Sequence, residues 1–272
     1  MSTFFTVDGV QLHYREWGNP MRPSLVLLHG GAAQAHWWDH LAPLLAEQYY
    51  VVAPDLRGHG DSSWVSPPAY EIEDYVGDLE ATFAVLHLVS PVLIGHSLGG
   101  FIALSYAAHS AKTLSGLIVV DIGFRLKSSR LMRLLRNLQA PIYQDEADLL
   151  QRFQLLPGET TASPALLHHI ARTSAQPLKT GGFALKFDRA TMVRKPCDLS
   201  PVLSQITCPT LVLRGSHSQH LSMATLTDMV HRCPRARGVE IPDAGHHILL
   251  DNPTAFLNAV REFLREEVEG CR

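Results

Sequence analysis

The chain has 272 residues, 46% of them hydrophobic and 18% charged, with a formal net charge of -3. These values exclude a disordered or fibrous chain and fit one large core with a subsidiary insertion better than two full domains. No long run of one charge sign marks a nucleic-acid surface, no apolar run reaches membrane-spanning length, and Met1 to Val7 lack the basic and apolar regions of a cleaved leader.

In chain order, Val10, Leu12 and Tyr14 alternate with polar residues, as a half-buried strand requires. Short continuous apolar runs then follow at Leu25–Leu28, Tyr50–Ala53, Val92–Ile94, Leu117–Val120 and Leu211–Leu213. Such runs are the signature of strands covered on both faces, as in a parallel sheet. Between them lie segments of helical period, among them Ile72, Tyr75, Val76, Leu79, Phe83 and Leu86. The pattern closes with a helix at Leu226–Val230, a strand at Val239–Ile241 and a helix at Phe256–Leu264. Alternating strands and helices predict an α/β fold with helices on both faces of the sheet.

The stretch from Phe124 to about Pro201 breaks the alternation. It holds no strand-like run, only helical pieces such as Leu131–Leu138 and Ala147–Leu155 punctuated by proline and glycine. It is read as a helical insertion over the C-terminal edge of the sheet, where ligands of such folds bind.

The cysteines Cys197, Cys208, Cys233 and Cys271 show no CxxC spacing and read as reduced thiols of a cytoplasmic protein. Fifteen histidines raise the question of a metal, but His36 and His40 lack the Glu of HExxH. His217 and His220 have no third ligand at a recognisable spacing, so no metal site is expected.

The central motif is Gly95-His96-Ser97-Leu98-Gly99, directly after the buried run Val92–Ile94 and directly before the helical segment Leu98–Ala108. A bare G-x-S-x-G arises by chance in about one chain in ten of this length, so its strand-turn-helix setting carries the inference. That turn lifts a serine above the sheet, and the helix start behind it aims N–H groups at developing negative charge. His29-Gly30-Gly31-Ala32 follows the strand Leu25–Leu28 and supplies a second donor. The expected oxyanion pair is the backbone N–H of Leu98 and of Gly31, with Ala32 the alternative to Gly31. Asp243-Ala244-Gly245-His246-His247 follows the last strand and offers the base a serine nucleophile needs. His246 is the expected base and His247 its rival. Trp37, Trp38 and His96, close to these loops in sequence, are candidate substrate contacts, though aromatics there also serve to pack the first helix.

The blocks HGGAAQAHW, VVAPDLRGHGDS, VLIGHSLGG, LIVVDIG, TLVLRG and DAGHHILLDNP resemble the α/β-hydrolase superfamily over essentially the whole chain. The resemblance implies a mostly parallel eight-stranded sheet, a core of residues 1–123 and 202–272, a helical cap at 124–201, and no cofactor. Its dehalogenases and epoxide hydrolases carry Asp at the nucleophile position, so Ser97 sets this chain apart from both. The commonest family position for the triad acid, the third residue after the glycine of LVLRG, is Ser218 here. Some relatives place the acid after the preceding strand, which makes Asp121 the expected acid and Asp243 the runner-up.

The expected activity is hydrolysis of an ester-type bond of a small molecule through an acyl-enzyme. A lactonase or C–C hydrolase with the same triad, and a low-turnover receptor on the same fold, are the alternatives. A monomer or homodimer without nucleic-acid or membrane partners is expected.

Overall fold

A computed structural model of the chain describes residues 3–109, 114–127 and 130–269. Cys271 lies outside the described residues, as do the first two residues of the chain and two residues of the insertion.

Eight strands form one sheet: β1 (Thr3–Val7), β2 (Val10–Trp17), β3 (Ser24–Leu28), β4 (Tyr50–Pro54), β5 (Val92–His96), β6 (Gly116–Val120), β7 (Thr210–Gly215) and β8 (Ala236–Ile241). Their order across the sheet is β1-β2-β4-β3-β5-β6-β7-β8. β1 and β2 pair antiparallel, as do β2 and β4, and every other neighbour is parallel. The continuous apolar runs have a simple cause in the period of two. Val26, Val52, Leu93, Leu117, Val119 and Val212 point into one buried cluster, while Leu25, Val51, Ile94, Ile118, Val120 and Leu213 point into the cluster on the other face.

After the short helix α1 (Ala42–Leu45), α2 (Ile72–Val85) and α3 (Leu98–His109) lie on the first face and bring Leu79, Phe83, Phe101 and Ile102. α2 begins with a reciprocal cap between Glu71 and Asp74, which satisfies amides that would otherwise be orphaned. The opposite face is covered by Trp38, Phe256, Val260 and Phe263, the last three from the helix Pro253–Phe263.

The segment between β6 and β7 differs from the expectation of a purely helical insertion. It contains helices at Arg130–Asn137, Glu146–Arg152 and Pro164–Thr173, together with two small antiparallel pairs. One joins Ala175–Pro177 to Phe183–Leu185, and the other joins Arg125–Leu126 to Cys197–Asp198. Strands of two or three residues are too short to write a period into the sequence. Among the described residues, no helix is long and apolar enough to cross a membrane.

Candidate active site

The parallel strands end on one edge, and three of those ends carry the candidate residues. Ser97 follows β5 with φ 51°, a left-handed backbone that non-glycine residues seldom adopt. It is held there by its N–H donating to the Val120 carbonyl (2.9 Å) and by α3 starting at the next residue. The turn fits only because its flanks lack side chains. A Cβ on Gly95 would lie 2.3 Å from the Gly99 carbonyl oxygen, and one on Gly99 would lie 2.5 Å from that of Leu28.

Asp121 directly follows β6 at φ 52° and is fully buried. Its Oδ1 accepts the Gly215 N–H (3.1 Å), and its Oδ2 accepts the Ser218 hydroxyl (2.5 Å) and the His246 Nδ1–H (2.8 Å). The other ring nitrogen, Nε2, lies 2.9 Å from Ser97 Oγ. Nucleophile candidate, base candidate and acid candidate therefore form one continuous hydrogen-bonded line. Gly215 serves twice, since besides its amide it gives the crossing loop room: a Cβ there would meet the Gly245 carbonyl oxygen at 2.1 Å.

Burial governs the charges of this line. It pushes the Asp121 carboxyl up to about 6, against the lowering effect of the hydrogen bonds from Ser218 and Gly215. It also holds His246 well below the usual imidazole range, and the neighbouring His220 and His247 rings act in the same direction. His246 is thus neutral near pH 7, the state in which Nε2 can accept a proton.

The remaining candidates divide. The Gly30 backbone runs against the serine, since a Cβ there would stand 3.3 Å from Ser97 Cβ, and a Cβ on the next residue, Gly31, would meet no atom within 4 Å. Leu98 is the first residue of α3, at the end whose N–H groups have no intrahelical acceptor. Ala32, the alternative donor, has φ 59°.

The substrate-contact expectation for Trp37, Trp38 and His96 needs correction. All three are buried, with exposures of 4%, 0% and 1%. Trp38 packs on Phe256, Trp37 stacks on His96, and His96 Nε2 donates to the His246 carbonyl (2.9 Å). They support the loops from beneath, because closeness in sequence to a site loop does not fix which way a ring points. His247 is likewise turned away from Ser97, donating from Nε2 to the Pro157 carbonyl at 2.7 Å. Among the described residues, Asp243, the runner-up acid, forms no hydrogen bond or ion pair with either histidine ring, and its backbone turns at φ 53°.

Two residues beyond the sequence reading also belong to the site. Ser218 shares Oδ2 of Asp121 with His246, and its occupancy of the usual acid position was the available signal. His220 stacks on the His246 ring with centroids 4.1 Å apart, for which the sequence holds no signal.

Away from this line, His36, Asp39 and His169 bring possible metal-ligating atoms within 4.8 Å of one another. The place of a cation there is taken by Arg15, which lies 3.1 Å from Asp39 Oδ1 and donates to His36 Nε2 at 3.2 Å. With Nε2 accepting, the proton of His36 sits on Nδ1 and is given to Asp39, so that nitrogen has no lone pair for a metal.

The sequence profile described as the Alpha/beta hydrolase family matches residues 25–260. The chain belongs to that family. Among relatives of this alpha/beta hydrolase, a 3-hydroxybutyrate-oligomer hydrolase of Cupriavidus necator is 28% identical over 256 residues, covering 87% of each chain. A 2-(acetamidomethylene)succinate hydrolase of Mesorhizobium japonicum is 26% identical, covering 95% of this chain and 93% of the relative. Among solved structures, E-2-(acetamidomethylene)succinate hydrolase superposes with a TM-score of 0.85 at 24% identity, covering 97% of this chain and 99% of the other. At that identity the superposition speaks for the fold. A thioesterase domain from the curacin biosynthetic pathway gives 0.83 at 26% identity, with 96% and 98% covered. A hydrolytic enzyme is the activity class these relatives support.

Proposed function

We propose that this protein hydrolyses a carboxylic ester-type bond of a small molecule through an acyl-enzyme on Ser97. The observation that carries the reading is the line Ser97–His246–Asp121, with contacts of 2.9 and 2.8 Å. Ser97 Oγ attacks the ester carbonyl while His246 Nε2 takes its proton, and Asp121 holds Nδ1–H so that Nε2 is the free nitrogen. The amides of Leu98 and Gly31 face the oxygen on which negative charge develops. Collapse of the tetrahedral intermediate breaks the bond to the alcohol, which leaves with the proton from His246. Water, deprotonated by the same nitrogen, then attacks the acyl carbon and frees Ser97.

The segment 124–201 is the cap of this reading, covering the strand ends and choosing the substrate. A lactone ring opened by the same steps is the second reading, since a 3-oxoadipate enol-lactonase of Acinetobacter baylyi is 24% identical over 274 residues. The contact of Asp121 with His246 supplies a carboxylate where the usual acid position holds Ser218, which favours turnover over a receptor on the same fold.

The test is a panel of short-chain aryl esters, lactones and thioesters, run beside labelling with a fluorophosphonate. Wild type is expected to label and to turn over at least the activated esters, and Ser97→Ala to do neither while keeping its melting temperature. Turnover by Ser97→Ala at the wild-type rate would overturn the reading.

A further inference from the structure

The segment between β6 and β7 holds a half-open cavity of about 250 Å³ that the proposed relay does not use. Leu135, Leu185, Phe187 and Met192 form its apolar wall, and among the described residues its charged lining is Arg152 and Arg189, with no carboxylate. Arg152 is half-exposed, paired with Asp148 at 2.8 Å and lying over the Tyr143 ring. Arg189 is different. One of its terminal nitrogens donates to the Leu135 carbonyl, and no carboxylate pairs with it among the described residues. Its Nε–H is buried without an acceptor. A guanidinium is a planar fork that matches a carboxylate, and Arg189 lines the cavity with no carboxylate to match it.

Both walls of the cavity are fastened to the surroundings of Ser97. On one side Leu156 runs into Pro157, whose carbonyl accepts from His247, the neighbour of His246. On the other side Phe187 pairs with His59, whose ring lies edge-on to His29 at the root of the Gly30–Gly31 loop. The volume lies below the range of about 300–1,000 Å³ usual for drug-sized ligands, so the occupant is short.

We propose that this cavity selects an ester carrying a free carboxylate at the end of a short aliphatic chain, with Arg189 gripping the carboxylate and Arg152, shared with Asp148, offering it further N–H donors. The proposal rests on the hydrolase reading for its reaction and on the cavity alone for its selectivity.

Two measurements separate the two. The first compares kcat/KM for the 4-nitrophenyl half-ester of adipic acid with that for 4-nitrophenyl hexanoate, which has the same chain and no carboxylate. Wild type is expected to favour the half-ester at least tenfold, Arg189→Gln to bring the ratio to within about twofold of unity, and Arg189→Lys to keep part of it. Arg152→Gln, made at a half-exposed side chain, is expected to lower the ratio several-fold and serves if Arg189→Gln does not fold. The second measures binding of monomethyl adipate to Ser97→Ala by calorimetry, with and without Arg189→Gln. Turnover of both esters with a ratio that neither arginine variant moves would overturn the proposal and leave the hydrolase reading intact. Arginine-dependent binding with no turnover of any ester by wild type would overturn the hydrolase reading and uphold this one. No binding and no preference would overturn the proposal outright.

Discussion

Asp121→Asn tests the relay most sharply, because the three donors around the carboxylate dictate how an amide must sit. One orientation turns the amide oxygen to the Gly215 N–H and the NH2 toward His246 and Ser218. The NH2 then donates to His246 Nδ1, which moves the ring proton to Nε2, where it can no longer accept from Ser97. The flipped orientation keeps the productive tautomer but sets NH2 against the Gly215 N–H, at a cost of about 1–3 kcal/mol for an unsatisfied buried donor. An imidazolium 2.8 Å from a carboxylate also gains about 6 kcal/mol of gross attraction at an effective dielectric near 20, much of which an amide dipole forfeits. A net loss of about 4–5.5 kcal/mol follows, or roughly 10³ to 10⁴ in kcat. The assay is steady-state hydrolysis of a short-chain aryl ester at pH 8, with melting temperature measured alongside. Near-normal kcat with a lowered melting temperature would refute the reasoning and leave Asp121 a purely structural residue. Stability carries a second signature of the same carboxyl. Its pKa is raised in the folded state to about 6, so its contribution to stability is present at low pH and lost as pH rises through that value. The melting temperature of Asp121→Asn relative to wild type is therefore expected to rise between pH 5 and pH 8.

kcat/KM should climb as pH passes about 6, where Asp121 ionises, and Ser218→Ala should move that limb to higher pH because the 2.5 Å hydrogen bond stabilising the carboxylate is lost. A limb unmoved in Ser218→Ala would remove Ser218 from the site. His246→Ala should match Ser97→Ala in its loss of kcat, while His247→Ala, deprived of a fully buried ring and its bond to Pro157, should lose about 2–4 kcal/mol of stability in denaturant titration and less than tenfold in rate. Opposite behaviour of the two histidines would exchange their roles. Gly99→Ala, whose Cβ would stand 2.5 and 2.6 Å from the Leu28 and His29 carbonyl oxygens, should lose at least about 3 kcal/mol. A normal melting curve for it would show that the turn can open.

The sheet was legible because strands covered on both faces leave no polar alternation, so five apolar runs stand out at once. β1 was not, since none of its side chains is buried and five residues of mixed type carry little pattern. Within the site, Ser97, Asp121 and His246 could be located because each follows an apolar run at the same edge of the sheet. Direction was not legible. Whether Trp37, Trp38 and His96 face a ligand or the core depends on packing across the sheet, and so does the stacking of His220, which no local period encodes. The cavity arginines were equally hidden, since Arg152 and Arg189 are brought together across a span whose spacing follows no repeat.

The pairing of Arg125–Leu126 with Cys197–Asp198 means that some seventy residues leave the sheet and return to it at a single neck. Closing a loop at a fixed gap becomes costlier only logarithmically with its length, by about 0.6 kcal/mol for each doubling. The distance the neck must span stays the same whatever hangs from it. Between those paired strands the chain can be exchanged for another that replaces its remaining ties to the core, such as Pro157 with His247 and Phe187 with His59, with Asp121 on one side of the neck and Ser218 on the other still meeting at 2.5 Å. A graft of a foreign segment at residues 127 and 196 is the natural unit by which such a scaffold could acquire a new specificity.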